Sequence, residues 1–540
     1  MTQHPPHSSH PSDAALAINQ LKRKNSLLLP AIISVSFFLI LAYVARTHTF
    51  GTYSTETDFY HFYAPDAERL AVGQFPDNTF QGPGYPAMLA LTGKLTGDLF
   101  VAGKWVSLVC AAVVGFFTFL VFARAIGYWV GVGAQLIVLV SKHFPEFGMS
   151  ATTDMFFLML CLAALVVFTT ESLPVRWRTI LTAVLTSLTY LTRYNGLFLL
   201  ATFVFGIVAF DIYKQSRRVR LGLAALFCAV FLLVSAPWLY ANYKQHGSPI
   251  YNTNYLNIAT EFYPELVNDN VVQEGTRKLG EVFRSFGDVL SYAPRRIASH
   301  YPVNLYESVY QSVTDDLVSP WVGWLALIGV VLALIDWRST PLARLLLFSG
   351  VIYMLLLALT HWETRYYFYM LPLYAGLAVY AAVRLLELAR ARGFARQHAF
   401  VLAPLMLVSV MVAHSFMSAR NETARFLASH PREVLKACDY FRQANITGSI
   451  VVARKPHVAY ICGQRWVFFP QVKSLDELKV WLEANRVDYL TISSVEISRR
   501  RELAMLKDPR NAPPWLRAVW VNSNPAFVLY QPRLDETIKP

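Results

Sequence analysis

The chain has 540 residues, of which 55% are apolar and only 15% charged, and its mean hydropathy is +0.36. That balance excludes a soluble globular enzyme and indicates an integral membrane protein. The formal net charge of +13 does not signal nucleic acid, because much of it lies in short loops between apolar runs, where it sets orientation in the bilayer.

The first 26 residues are polar, rich in His, Pro and Ser, and end in Lys22-Arg23-Lys24, which predicts a disordered cytoplasmic tail. His4, His7 and His10 have the spacing of a metal clip, but a flexible Pro-rich tail is a poor place to hold an ion. The next run, Leu27–Ala45, is long enough to span and is followed by no small-residue cleavage site, so it reads as a retained anchor. Ten further runs follow: Leu99–Ala123, Tyr128–His143, Asp154–Thr170, Thr179–Thr192, Gly196–Ile212, Leu221–Tyr243, Pro320–Ile335, Leu342–His361, Tyr366–Leu386 and Ala399–Ser415. Together they predict a membrane α-helical fold of about eleven transmembrane helices in the segment 27–416.

Basic residues orient this bundle. With the N-terminus inside, the inner segments hold Lys22, Arg23, Lys24, Arg124, Arg176, Arg178, Lys214, Arg217, Arg218, Arg220, Arg338, Arg344, Arg384, Arg390, Arg392 and Arg396. The outer short loops hold Arg46, Arg69, Lys94, Lys142, Arg193 and Arg365. The imbalance predicts a multi-pass protein of a bacterial inner membrane, with its N-terminus cytoplasmic and its C-terminus periplasmic. Three long segments then lie outside: 46–98, 244–319 and the tail 417–540.

The tail reads as a small outer α/β domain. Helices are predicted near Pro431–Gln443 and Leu475–Asn485, and strands at Ser449–Ala453, Tyr489–Ser493 and Phe527–Tyr530. Cys438 and Cys462 lie in this part and can pair if it faces an oxidising compartment; Cys110, Cys161 and Cys228 sit in apolar runs as packing residues.

There is no P-loop, dinucleotide fingerprint, zinc-spaced Cys/His set or nucleophile elbow. Charges instead gather on the outer side: Glu56 and Asp58 after the first span, Lys142 and His143 closing the third, Asp154 opening the fourth, Arg193 after the fifth, and Glu363 and Arg365 before the tenth. Carboxylates at the mouth of a membrane bundle are costly and point to chemistry. Carboxylates with guanidiniums suit a lipid-linked sugar phosphate, since Arg grips the anionic leaving group and a carboxylate takes the proton of an attacking hydroxyl. Each residue also has a plainer reading. Asp58 and Asp154 are good helix caps, Arg193 and Arg365 can anchor at headgroups, Glu363 can simply pair with Arg365, and Tyr366, Tyr367 and Tyr369 suit an interfacial aromatic belt.

In order and character these motifs resemble the GT-C membrane glycosyltransferases, in the branch of the protein O-mannosyltransferases and the lipid A aminoarabinose transferases. The resemblance rests on Glu56 and Asp58, the amphipathic stretch Ala64 to Gly73, and Gly82-Pro83-Gly84-Tyr85-Pro86. It continues through Ser150 to Asp154, Thr192-Arg193-Tyr194 and Glu363 to Tyr366. It implies inverting transfer of one sugar from a polyprenyl-phosphate (dolichyl-phosphate-like) donor to a lipid, glycan or protein hydroxyl on the outer face, with no nucleic acid partner. Asp58 would be the base, with Glu56 its competitor because the usual adjacent Asp-Glu pair is here Glu-Thr-Asp. Asp154 would orient acceptor or base, and Arg193, Arg365, Glu363 and Lys142 would bind substrate. No cofactor is implied, although Asp58 and Asp154 are also able to share a divalent metal. A transporter or lipid flippase is the rival class, and a glycan ligase or polymerase the rival reaction. The lack of an internal repeat and the placement of the charges at helix ends argue against transport.

Overall fold

A computed structural model of the chain describes residues 27–77, 80–266, 279–314, 316–336, 341–391 and 397–533. The N-terminal tail with its three histidines, and the inner basic residues Arg338, Arg392 and Arg396, lie outside the described residues.

The eleven apolar runs all coincide with helices. They are α1 (Leu28–Val44), α4 (Leu99–Ala125), α5 (Tyr128–Leu139), α7 (Asp154–Phe168), α8 (Val175–Thr192) and α9 (Leu197–Val208), then α10 (Arg217–His246), α14 (Pro320–Ile335), α15 (Pro341–Leu357), α16 (Met370–Ala391) and α17 (Gln397–Ala428). Between them lie α2 (Ala64–Ala71), α3 (Gly84–Thr96), α6 (Phe144–Met149), α11 (Tyr255–Phe262), α12 (Phe286–Tyr292) and α13 (Pro294–Val313). Among the described residues, five stretches are long and apolar enough to cross a membrane: Leu28–Thr47, Leu99–Ala125, Arg217–His246, Met370–Ala389 and Ala403–Gln443. Shorter apolar helices occupy Tyr128–Leu139, Asp154–Phe168, Tyr194–Val208, Pro320–Ile335 and Pro341–Leu357. Helix α8 belongs to neither group, because Arg176, Arg178 and five threonines dilute its apolar character.

Helix α4 is the hub. Asp98 caps it by accepting from the Val101 amide at 2.8 Å, and its 27 residues rise about 40 Å. It packs against α1, α3, α5, α6 and α7, while α8 joins α7 to α10 and α16 lies against α5, α14 and α17. One side of each peripheral helix is buried and the other is bare hydrocarbon: Phe227 and Phe231 of α10 are buried, whereas Leu232 and Leu233 are exposed, as are Val331 and Ile335 of α14. An aqueous protein would not leave so much apolar helix surface uncovered; a bilayer requires it.

After α17 come α18 (Arg432–Gln443), β1 (Ile450–Ala453), α19 (His457–Ile461), β2 (Arg465–Phe468), α20 (Leu475–Ala484), β3 (Tyr489–Ser493), α21 (Ser494–Ile497), β4 (Leu516–Ser523) and β5 (Ala526–Pro532). The five strands form one sheet in the order β2-β1-β3-β5-β4, with β1 parallel to β2 and β3, and β5 antiparallel to β3 and β4. Alternation along β3 divides the core. Leu490 and Ile492 pack on Leu478 and Leu482 of α20, and Tyr489 packs on Val434, Ala437 and Phe441 of α18. Cys438 and Cys462 form a disulfide joining α18 to the end of α19.

Candidate active site

The chain leaves α1 through a short 3-10 turn, and a π-helical turn, Phe59–Tyr63, then leads into α2. Wide turns of this kind are frequent at functional sites. Glu56 and Asp58 precede it, two residues apart, and their environments are opposite. Glu56 is completely buried, and three donors saturate its carboxylate: His48 Nε2 at 2.9 Å, the Thr52 amide at 2.9 Å and the Ala151 amide at 2.8 Å. His48 in turn meets His430 at 2.6 Å, so Glu56 ties together the first loop, the Ser150–Asp154 motif and the end of α17. Asp58 keeps 28% of its side chain exposed and makes no cap bond to the turn it precedes. Its carboxylate reaches Arg365, 307 positions away, at 3.3 Å.

The second acidic motif ends in another long-range pair. Asp154, in the first turn of α7 and almost fully buried, forms a short ion pair with Arg193 at the end of α8. Glycine explains how Arg193 is set. A side chain at Gly82 would strike the Leu191 carbonyl oxygen at 2.0 Å, and one at Gly84 would meet Thr192 Oγ1 at 2.8 Å. The Gly-Pro-x-Tyr-Pro motif therefore lets the start of α3 lie on the last turn of α8, with Tyr194 donating to the Gln81 carbonyl at 3.2 Å.

Arg365 comes from the 3-10 turn Thr364–Tyr367, between α15 and α16. The ring of Tyr366 serves both cations, with the Arg193 guanidinium 5.1 Å and the Arg365 guanidinium 5.4 Å from its centre. Burial opposes the Arg365 charge, but Asp58 first, then Tyr366, Asp154 and Glu363, more than offset it and hold its pKa above the usual guanidinium value. Glu363, well exposed, lies 3.4 Å from Arg365 and makes the local ion pair that its spacing suggested.

Asp58, Arg193 and Arg365 line one cavity of about 240 Å³, together with Gln81, Thr153, Asn195, Asn254, Asn257 and Tyr366. The amide side chains are polar groups that the charge-based reading passed over. Asn195 directly follows Thr192-Arg193-Tyr194, and Asn254 and Asn257 lie in the Asn-rich run that starts at Asn252, so the signal was present. Lys142, half-buried in the turn between α5 and α6, is not among the lining residues. Among the described residues, one group of His, Asp or Glu side chains is close enough to share a metal: His143, Glu146 and Glu422. Asp58 and Asp154 are not in it; each faces an arginine instead. A larger cavity of about 760 Å³ lies between α14, α15 and α16, lined mainly by apolar residues such as Leu346, Met354 and Met370, with Asp336, Arg384 and Glu387 also on its wall.

Residues 80–240, which carry Gly82, Asp154 and Arg193, match the family described as dolichyl-phosphate-mannose-protein mannosyltransferase. Among solved structures, ArnT from Cupriavidus metallidurans bound to undecaprenyl phosphate is similar at a TM-score of 0.55 and 13% identity, over 92% of this chain and 97% of that one. The oligosaccharyltransferase AglB from Archaeoglobus fulgidus, in complex with an inhibitory peptide and a dolichol-phosphate, is similar at 0.56 and 11%, over 94% and 75%. The apo form of the oligosaccharyltransferase from that organism is similar at 0.59 and 11%, over 87% and 69%. No curated protein sequence matches. Identities this low speak for the fold, and the fold is that of the GT-C membrane glycosyltransferases, as the order of the motifs implied.

Proposed function

We propose that the protein is an inverting glycosyltransferase that moves one sugar from a polyprenyl phosphate to a hydroxyl acceptor at the outer face of a bacterial inner membrane. The observation that carries this reading is Asp58, a partly exposed carboxylate on the wall of a cavity that also holds Arg365 and Arg193. Arg365 and Arg193 grip the phosphate from one side. Asp58 takes the proton of the acceptor hydroxyl as its oxygen bonds to the anomeric carbon from the opposite face. The bond from that carbon to the phosphate oxygen breaks, its electron pair leaves on the phosphate, and the guanidiniums stabilise the growing charge. The products are an inverted glycoside and free polyprenyl phosphate. Asp154 holds Arg193 in place, and Asn195, Asn254 and Asn257 face the sugar hydroxyls.

The cavity falls somewhat below the ~300–1,000 Å³ of sites for drug-sized ligands. That size favours a single sugar over an oligosaccharide. The larger apolar cavity reaches Met354 and Met370, a turn or so from Leu357 and Tyr366 of the smaller one, and suits the polyprenyl tail. In this reading about eleven helices span the bilayer, and the disulfide-bonded C-terminal unit lies outside, where thiols are oxidised. Asp58 acts on the hydroxyl directly, so chelation by EDTA should leave turnover unchanged. Mass spectrometry of envelope glycolipids, glycans and proteins from a deletion strain tests the proposal. Loss of one sugar mass from one acceptor is expected, loss of a whole oligosaccharide would favour a ligase, and an unchanged envelope would refute the enzyme.

A further inference from the structure

We propose that Lys455, carried by the C-terminal sheet, is a positioning residue of the active site: its ammonium group, bonded to Thr57, sets the loop and the charge around Asp58. This rests on the reading of Asp58 as the base.

Strands β1, β2 and β3 are parallel, so their carboxyl ends emerge on one edge of the sheet. In open α/β sheets that edge is the usual place for functional groups. Here it is turned toward the first loop of the membrane part. Lys455 follows β1 by two residues, and its Nζ donates to Thr57 Oγ1 at 3.0 Å; the same hydroxyl donates to the Tyr53 carbonyl at 2.8 Å. Thr57 adjoins Asp58. Lys455 is not among the residues lining the cavity with Arg193 and Arg365; it reaches the Asp58 loop through Thr57.

The placement is strongly determined. His457 Nε2, on α19, donates to the Thr52 carbonyl at 2.8 Å, and Tyr460 donates to Glu68 at 2.9 Å. The ring of Tyr60 packs 4.7 Å from His457 and 5.2 Å from Tyr460. On β2, the Trp466 indole lies edge-on to His61 at 4.6 Å while its N–H donates to the Ala453 carbonyl at 2.8 Å. The loop after β1, α19 and β2 are thus fastened to the segment that carries Asp58 and to α2.

The charged groups facing Lys455 come from four elements: Arg454 on its own loop, Asp58 on the first loop, Arg365 from the turn before α16, and Glu496 on α21. Burial first, and then Arg454 and Arg365, push the ammonium down to about 8, against the opposing pull of Asp58 and Glu496. His61, pushed down to about 4 by burial, stays neutral and leaves Lys455 to supply the positive charge on this side. A charged ammonium holds Thr57 Oγ1 more strongly than a neutral amine would, and so helps to fix the backbone that carries Asp58. Because Lys455 loses its proton near pH 8, that help is present below this pH and fades above it.

The test uses the full-length protein in a deletion strain, expressed as wild type, Lys455→Met, Lys455→Arg or Asp58→Asn. Isolated membranes then supply donor and acceptor together. The sugar-mass product lost on deletion is followed at pH 6 to 9.5, at protein levels matched by immunoblot. Lys455→Met should form product at least about tenfold more slowly at pH 7. Lys455→Arg should keep the rate and hold it above pH 8, where wild type declines. A wild-type rate and pH profile in Lys455→Met, with Asp58→Asn inactive, would overturn this inference alone. So would Lys455→Arg as slow as Lys455→Met. Product at the wild-type rate in Asp58→Asn would overturn the underlying reading.

Discussion

Replacing Glu56 with Gln separates the two neighbouring acids by what each one holds. In the native protein Glu56 Oε1 accepts from His48 Nε2 and the Ala151 amide, and Oε2 accepts from the Thr52 amide, all without solvent. Glutamine has one acceptor oxygen. If it stays with His48 and Ala151, the new NH₂ group points at the Thr52 N–H, donor against donor, and the charge opposite His48 is gone. A bond to a charged group contributes about 1.5–3 kcal/mol, and a buried donor left unpaired costs about 1–3 kcal/mol. The loss is therefore on the order of 3 kcal/mol, in the range expected for breaking a buried pair. Thermal unfolding of the purified protein in detergent, followed by tryptophan fluorescence, should show a clearly lower midpoint for Glu56→Gln and little change for Asp58→Asn. The transfer rate per folded Glu56→Gln molecule should stay within a few fold of wild type. An unshifted midpoint together with abolished turnover would refute the reasoning and make Glu56 the reacting acid.

Two further substitutions probe the arginine side. Arg365→Lys keeps the charge but loses the planar fork that pairs with Asp58 and, in the proposed mechanism, grips a phosphate, so the transfer rate should fall at least about tenfold with the fold intact; a full rate would argue against a phosphate contact. Gly82→Ala puts a methyl group 2.0 Å from the Leu191 carbonyl oxygen, forcing α3 away from the turn that carries Arg193. Turnover should drop by roughly an order of magnitude or more although no charged group is touched. Normal product formation in the Gly82→Ala strain, by envelope mass spectrometry, would remove the motif from the site.

The membrane part was largely legible because its signal is hydropathy, which depends on runs of residues and not on their partners. All eleven expected apolar runs fall on helices, with ends moved by a few residues. Helix α17 is the largest exception: it continues through Arg420 and Arg425 to Ala428, because an exposed polar helix has no apolar signal to mark its end. In the tail, β3 is legible from Tyr489 to Ser493 because it is buried on both faces, and Tyr489, Leu490, Thr491 and Ile492 make a short apolar and β-branched run. Strand β2 has four residues and begins with an exposed arginine, and β4 is a bulged edge strand, so neither alternates cleanly enough to be found.

The site was legible as residue types and not as partnerships. Asp58, Asp154, Arg193 and Arg365 stand out in the sequence as candidates because charge at a bilayer edge is costly. Which carboxylate met which arginine depended on contacts 39 and 307 positions apart. Glu56 and Asp58 look equivalent in sequence, and only the three donors around Glu56 set them apart. Lys455 carries no such signal: in sequence it is one basic residue among many in a polar tail, and its contact with Thr57 comes only from the docking of α19 onto the first loop.

The most direct measurement of the central claim is the initial rate of sugar transfer by Asp58→Asn, in membranes that hold both donor lipid and acceptor. A positioned base contributes about 10²–10⁴-fold, so the variant should be slower by that factor, with the protein folded and its unfolding midpoint unchanged. A rate within about tenfold of wild type would contradict the account.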